Sequence, residues 1–467
     1  MTLLRSFLLA LSFQAILSAG ASADTCATTA TRPDYAPGTV SPMLFGTHLL
    51  FNQATDSMRS QPEFMRSLLS VPVHSLRFPG GTIGDNYLWR EKKTARQDWF
   101  PFNHKASAND LDFDEFMSVA KCLGVQPSIV VNLRHWVAAG QLEEGIADAE
   151  NWVRYANIEK GYGIRYWELG NEVYGKVKQD QSPMTARQYG KYYAEFRRRL
   201  KNVDPSVELG LILPAKTDFV ASGDTENWWN GALEGAGGEV DYVVIHRYVV
   251  QPPRAVERKG STYDDMLTEA SAKLKSVIGR DVPVHLTEWN IGSKSASRDG
   301  PLKHGTIGHA MFVADGVADQ ADHGVRFATF WPLIGPKDQG FLSKPDVSLN
   351  VPGKVMQLLS PIAGWKVAGK QGYAKGVQSN MYVSGSGQKA VVLINWRGKP
   401  ARYDWQKLVG NCDATGSVLT SSQSADSRDA LQAPIAEASL ILERGAIAVP
   451  PHSLIVALSK VGQRCGS

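Results

Sequence analysis

Between residues 42 and 345 two hydrophobic patterns alternate along the chain. Short apolar runs rich in β-branched and aromatic residues recur: "MLFGTHLLF" (43–51), "HSLRF" (74–78), "PSIVVNL" (127–133), "IRYWELG" (164–170), "VELGLIL" (207–213), "VDYVVIHRY" (240–248), "PVHLTEWN" (283–290) and "RFATFWPL" (326–333). Several are apolar at consecutive positions, so both faces need cover, which predicts buried parallel strands. The intervening stretches carry apolar residues near helical spacing. "DFDEFMSVAKCLG" stops at a Gly, "TARQYGKYYAEFRRRLKNVDP" stops at Asp-Pro, and "GHAMFVADGVADQADHG" follows the seventh run. Strands alternating with helices in this way predict an α/β fold, a (β/α)8 TIM barrel over 42–345. An open doubly wound sheet fits less well, because no Gly-rich phosphate turn follows the first run.

From residue 346 the period changes. "QKAVVLINW", "ASLILERGAIAV" and "HSLIVALSK" alternate, with Gly, Ser and Asn turns between them and no convincing helix. Residues 346–467 are therefore expected to form a C-terminal antiparallel β-sandwich. Residues 24–41 precede the first barrel strand and are expected to add a strand to that sandwich.

Composition narrows the picture. Of 467 residues, 43% are hydrophobic and 21% charged, a globular balance that excludes general disorder. Residues 1–23 read as a cleavable signal peptide: a single charge at Arg5, the apolar core "FLLALSFQAIL", and the small-x-small site "ASA" at 21–23. The expected location is secreted or periplasmic, with no membrane contact after cleavage, since that core is too short to span a bilayer and nothing later is longer. Losing Arg5 takes the formal charge from +4 to +3. So small an excess gives no reason to expect nucleic acid, and "RRR" (197–199), between Phe196 and Leu200, reads as the solvated side of a helix. Cys122 lies in a helical pattern and is expected to be a buried thiol. Cys26, Cys412 and Cys465 leave several pairings open. No cysteine spacing resembles a zinc site, and no metal or cofactor is called for.

The candidate chemistry comes from the strand ends. In a barrel of this kind, side chains at the C-terminal ends of strands face one mouth. Asn171 and Glu172 fall just past the fourth strand, in "YWELGNE", and Glu288 ends the seventh, in "LTEWN". Two carboxylates flanking one bond are the working parts of glycoside hydrolysis, and apolar surroundings raise a carboxyl pKa so that one of them stays an acid. Arg77 ends the second strand. His246 and Tyr248 alternate on the sixth and can both face inward. Trp331 at the end of the eighth strand and Trp89 after the "PGG" turn are candidates to stack on a sugar. Asn132 and His48, ending the third and first strands, are candidates to line the site.

"WELGNE" and "LTEWN" resemble the signature of glycoside hydrolase clan A. Within it the chain is most similar to family 51, the α-L-arabinofuranosidases, through "LRFPGG" (76–81), "NWVRYAN" (151–157) before "YGIRYWELGNEVYG", "VIHRY" (244–248) and "VPPHSLIVAL" (449–458); families 39 and 79 are relatives. The resemblance implies a retaining double displacement with Glu172 as acid/base and Glu288 as nucleophile. It further implies that Arg77 keeps Glu288 ionised, Asn171 holds the substrate 2-hydroxyl and Tyr248 orients Glu288. The expected partner is an oligo- or polysaccharide. One departure stands out. The family carries a glutamate on the first strand, and "FGTHLLFNQ" has none, which keeps open a bacterial exopolysaccharide or a uronic-acid-containing glycan as substrate. A non-catalytic carbohydrate-binding barrel is a further alternative, and the presence of both carboxylates with Arg77 argues against it.

Overall fold

Eight parallel strands close into a barrel: β1 (Gly46–His48), β2 (Ser75–Phe78), β3 (Gln126–Val131), β4 (Tyr166–Leu169), β5 (Glu208–Leu213), β6 (Tyr242–Val249), β7 (Val284–Ile291) and β8 (Ala328–Phe330). Each pairs with its neighbours in sequence, and β8 pairs with β1 through Thr47 and Phe330. The computed structural model describes residues 35–460 except 72, 96–106, 108, 176–183, 216–224, 250–262, 293–301, 336–337, 375–376 and 425–428. The eight apolar runs of the sequence are these eight strands. They are buried on both faces because helices cover the outside: α1 (Pro62–Ser70), α2 (Phe113–Leu123), α3 (Leu142–Val153), α4 (Ala186–Val203), α5 (Thr225–Gly235), α6 (Asp264–Ile278), α7 (Ile307–Asp322) and α8 (Val351–Leu359). Their limits follow local chemistry. Asp112 and Glu115 form a capping box at the start of α2, and Gly124 closes it in the left-handed conformation.

β7 is the irregular member. Against β6, Val244 pairs with His285 and His246 with Glu288; against β8, Ala328 pairs with Leu286 and Phe330 with Trp289. On both sides β7 uses three residues where its partner uses two. One extra residue of this kind, a β-bulge, breaks strict alternation and re-aims side chains.

The C-terminal region holds a six-stranded antiparallel sheet of β9 (Lys366–Ala374), β10 (Val377–Val383), β11 (Lys389–Asn395), β13 (Ala414–Ser421), β14 (Ile435–Ser439) and β17 (Ser453–Ser459), in the order β9-β10-β11-β17-β13-β14. A three-stranded sheet of β12 (Ala401–Tyr403), β15 (Leu442–Glu443) and β16 (Ala446–Val449) accompanies it. Period two explains the run "KAVVLIN". Val391 and Leu393 join the sandwich core with Tyr403, Trp405 and Ile447, while Ala390, Val392 and Ile394 join the barrel's core. Helix α7 lies between barrel and sheet, which is why nearly every residue of it is buried. Gln378 donates to Asp315 across this junction at 2.6 Å. Thr39 forms an isolated antiparallel bridge to Lys366 at the start of β9; residues 24–34 lie outside the described residues.

Two expectations need correction. The region from 346 is not free of helix: Val351–Leu359 is the eighth barrel helix. Its Pro352 sits in the first turn, where no N–H is missed, and Val351, Val355, Met356 and Leu359 are buried. Cys122 is not a thiol; it and Cys412 are both disulfide-bonded, and the pairing, like Cys26 and Cys465, lies outside the described residues. Among the described residues no helix is long and apolar enough to cross a membrane. Residues 1–23 lie outside them.

Candidate active site

The site is built around one guanidinium. Arg77, on β2, is fully buried, and its three donor nitrogens each have a different acceptor. Nε donates to Glu168 Oε2 at 2.8 Å, Nη1 to Glu288 Oε1 at 2.8 Å, and Nη2 to Asn171 Oδ1 at 3.0 Å. Burial works against its charge, but the Glu168 and Glu288 carboxylates more than offset this and raise its pKa. Only arginine offers a planar fork that reaches three acceptors at fixed angles. Glu288 is nearly sealed, its side chain 6% exposed, and Tyr248 donates to its second oxygen at 2.9 Å. Glu168 is completed by Ser128 at 3.0 Å and Thr287 at 3.3 Å.

Glu172 sits in different surroundings. β4 ends at Leu169, Gly170 turns the chain at φ 75°, and Glu172 itself has φ 45°, a left-handed conformation that costs a non-glycine residue energy. A Cβ on Gly170 would meet Val173 at 2.6 Å and Asp85 Oδ1 at 3.0 Å, so both φ and space demand glycine there. Arg134 secures the turn, donating from Nη2 to the carbonyls of Glu172 and Gly175, each at 2.8 Å. Asp85, fully buried with its carboxyl pushed up to about 6 by burial, pairs with Arg134 Nε at 3.3 Å. The Glu172 side chain is 41% exposed. Burial raises its pKa, and Arg77 and Arg134 reduce the shift in part.

His246 joins the two carboxylates. Its Nδ1 lies 3.0 Å from Glu172 Oε1 and 3.8 Å from Glu288 Oε2, and its Nε2 lies 3.2 Å from Thr287 Oγ1. Burial lowers its pKa to about 4, against the partial pull of Glu288, so the ring is neutral at neutral pH. Thr287 and Glu288 are consecutive, yet both reach into the barrel, one touching Glu168 and the other Arg77. The β7 bulge accounts for this. Carboxylate oxygens of Glu172 and Glu288 and Nδ1 of His246 all lie within 4.8 Å of one another. A metal ion is not needed to explain that cluster, because hydrogen bonds to His246 and the charge of Arg77 already do so.

The remaining candidates separate into two groups. Trp331 stands at the mouth, partly buried and edge-on to His48 at 4.7 Å; a Cβ on Gly81 would fall 3.1 Å from its ring and 3.5 Å from Glu288 Oε1. His48 is fully buried and its Nε2 donates to the Thr287 carbonyl at 2.7 Å, which fixes β1 to β7. Trp89 lies away from the carboxylates. It stacks on Trp152 at 5.7 Å and donates to Asp148, inside the packing of α3. Asn132 donates to the Tyr87 carbonyl and accepts from the His135 N–H, so its amide is spent on backbone. Glu168, Thr287, Asp85 and Arg134 were not among the candidates. Alternation on β4 does place Glu168 on the inward side with Tyr166 and so could have singled it out. Thr287 follows His285 at period two but shares the inward face with Glu288 only through the β7 bulge, and Asp85 and Arg134 depend on loop contacts that leave no periodic trace.

No protein-family model matches the chain. It is 27% identical over 275 residues to an intracellular exo-α-(1→5)-L-arabinofuranosidase of Bacillus subtilis, covering 52% of this chain and 51% of that one. It is 30% identical over 177 residues to α-L-arabinofuranosidase C of Emericella nidulans, covering 34% and 33%. The chain is similar to arabinofuranosidases. It spans about half or less of these curated relatives. Among solved structures, a family 51 arabinofuranosidase from Xanthomonas axonopodis pv. citri superposes with a TM-score of 0.68 at 16% identity, over 90% of this chain and 97% of that one. A family 39 glycoside hydrolase from Bacteroides cellulosilyticus gives 0.59 at 14% identity, over 92% and 83%. These relatives and neighbours are glycoside hydrolases, and the barrel-plus-sandwich architecture is theirs.

Proposed function

We propose that the chain is a secreted retaining glycoside hydrolase of arabinofuranosidase-like type, with Glu288 as nucleophile and Glu172 as acid/base. The observation that carries this reading is the spacing of the two carboxylates, oxygens within 4.8 Å. Retaining enzymes hold the two carboxyl groups about 5 Å apart, whereas inverting ones need more than about 6.5 Å to admit a water. The surroundings divide the roles. Glu288, held by Arg77 and Tyr248, is fixed to attack the sugar carbon from one side. Glu172, exposed to the mouth with a raised pKa, gives its proton to the departing oxygen and then takes one from water. Asn171, its carbonyl oxygen fixed by Arg77, turns its amide N–H donors to a sugar hydroxyl. Trp331 offers an apolar ring beside the nucleophile. Export rests on residues 1–23 alone. The substrate is an oligo- or polysaccharide, and the relatives' names support an arabinofuranoside.

The test is hydrolysis of a panel of aryl glycosides, including 4-nitrophenyl α-L-arabinofuranoside, with bacterial exopolysaccharides alongside. Glu288→Ala should abolish turnover, and azide should partly restore it with inverted product. Comparable rates for wild type and Glu288→Ala would reject the assignment. Cleavage of a polymer without the arabinofuranoside would keep the mechanism and change the sugar.

A further inference from the structure

His246 has two neighbours that can each give or take a proton, so the tautomer of its ring decides what Glu172 must be. The chain of contacts starts at Glu168. That carboxylate accepts from Arg77 and Ser128, and Thr287 Oγ1 stands 3.3 Å from its Oε2. Two oxygens at that distance attract only if the hydroxyl donates; were the Thr287 proton turned to His246, lone pairs would face each other. A charged carboxylate is also the stronger acceptor. The Thr287 oxygen therefore accepts from His246 Nε2–H at 3.2 Å. A neutral imidazole carries one proton, so Nδ1 is left bare and can only accept. Its partner is Glu172 Oε1 at 3.0 Å, and that contact is a hydrogen bond only when Glu172 carries the proton.

We propose that Thr287 and Glu168 are positioning residues that lock His246 in its Nε2–H tautomer and thereby hold Glu172 as a protonated acid before the substrate arrives. This rests on the reading of Glu172 as the acid. The groups facing Glu172 are His246 and Tyr248 from β6, Glu288 from β7, Arg77 from β2 and Arg134 after β3. Those facing His246 are Glu172 from the turn after β4, Thr287 and Glu288 from β7, Glu168 from β4, Arg77 from β2 and His48 from β1. Both arginines favour an ionised Glu172, so the bare Nδ1 is the specific contact that opposes them. The bulge in β7 makes the relay available, since it lets the consecutive Thr287 and Glu288 both face inward.

Thr287→Val keeps the shape and removes the hydroxyl. His246 is then free to carry its proton on Nδ1 and donate to an ionised Glu172. The alkaline limb of the kcat/KM profile should move to lower pH by about one unit. The loss at neutral pH should be larger for a glycoside with a poor leaving group than for the 4-nitrophenyl glycoside. Thr287→Ser should put the limb back. A packing defect would lower the rate at every pH and leave the limb in place, and that result would overturn the proposal. A second measurement needs no turnover. In the full chain labelled with 15N-histidine, the ring whose signals vanish in His246→Asn should show a protonated Nε2 and a bare Nδ1 at neutral pH. A protonated Nδ1 would overturn the proposal even in an active enzyme. A chain that cleaves no glycoside would reject the assigned function, while the 15N spectrum would still decide the tautomer.

Discussion

The two carboxylates at the barrel mouth are near neighbours held by opposite means. Glu288 lies on a strand, almost sealed, and a guanidinium and a phenol donate to its two oxygens. Glu172 lies on a strained turn, 41% exposed, and its side chain lies 3.0 Å from the neutral imidazole of His246. One is held by a guanidinium and a neutral phenol, while burial raises the pKa of the other. On the proposed reading, this difference in surroundings is what divides two roles between two identical side chains at one barrel mouth. It also shows where each is vulnerable: Glu288 through its two donors, Glu172 through its backbone.

The largest effect is expected at Arg77. Lysine keeps the charge but brings one ammonium to a place where Glu168, Glu288 and Asn171 each receive a separate donor. Two buried carboxylates then compete for it, and leaving a buried charge unpaired costs about 3–5 kcal/mol. Arg77→Lys should lower kcat/KM by about 10³-fold or more and lower the melting temperature with it. A wild-type melting curve would show that the fork is not what holds the site together. Tyr248→Phe tests the Glu288 side alone. It removes the 2.9 Å donor and nothing else, and hydrogen bonds to charged groups are worth about 1.5–3 kcal/mol. kcat should fall by about 10- to 100-fold with little change in melting temperature.

Arg134 tests the other side. Its Nη2 holds the carbonyls of Glu172 and Gly175, and Arg134→Lys should let the turn relax from its left-handed conformation. A loss of about 10-fold is expected, greatest on poor leaving groups, because proton donation depends on where Glu172 is held. An equal loss on activated and unactivated substrates would mean that Arg134 supports the fold and does not position the acid.

These partners differ in how visible they are from sequence. Glu172, Glu288 and Arg77 are legible because each stands at a strand end, where an apolar run stops on a charge. Barrel strands could be read for the same reason: runs apolar on both faces need cover on both. Asn132, just past a strand end, and Trp89, beyond the turn after β2, go instead into backbone contacts and packing, since the chain beyond a strand end no longer follows period two. Thr287 was hidden by the reverse case. Counting back from Glu288 by strict alternation puts it outside with Trp289, whereas counting on from His285 puts it inside, and the extra residue of β7 lets both face inward. Val351–Leu359 was hidden because Pro and Gly in nine residues suggest a loop, whereas Pro in the first turn suits a helix.

The smallest expected effect concerns the imidazole between the two carboxylates. His246 has a pKa of about 4 in the folded chain, against an ordinary value near 6.5. Between those values the unfolded chain binds a proton that the folded chain refuses. Stability therefore falls as pH drops from 6.5 to 4, by roughly 3 kcal/mol for this residue at pH 4, and is unaffected above 6.5. His48, His285 and His309, also lowered by burial, add losses of the same sign, so the wild-type slope alone identifies no single ring. The difference between two chains does. Melting temperatures of wild type and His246→Asn measured at pH 7 and pH 5 should show a smaller drop in the variant, by a few degrees, as about 2 kcal/mol of proton linkage disappears. Equal drops would mean that the folded chain protonates His246 as readily as the unfolded one does. The ring would then become a cation between Glu172 and Glu288 as the pH falls toward 5, and the contrast between the surroundings of the two carboxylates would fail at its centre.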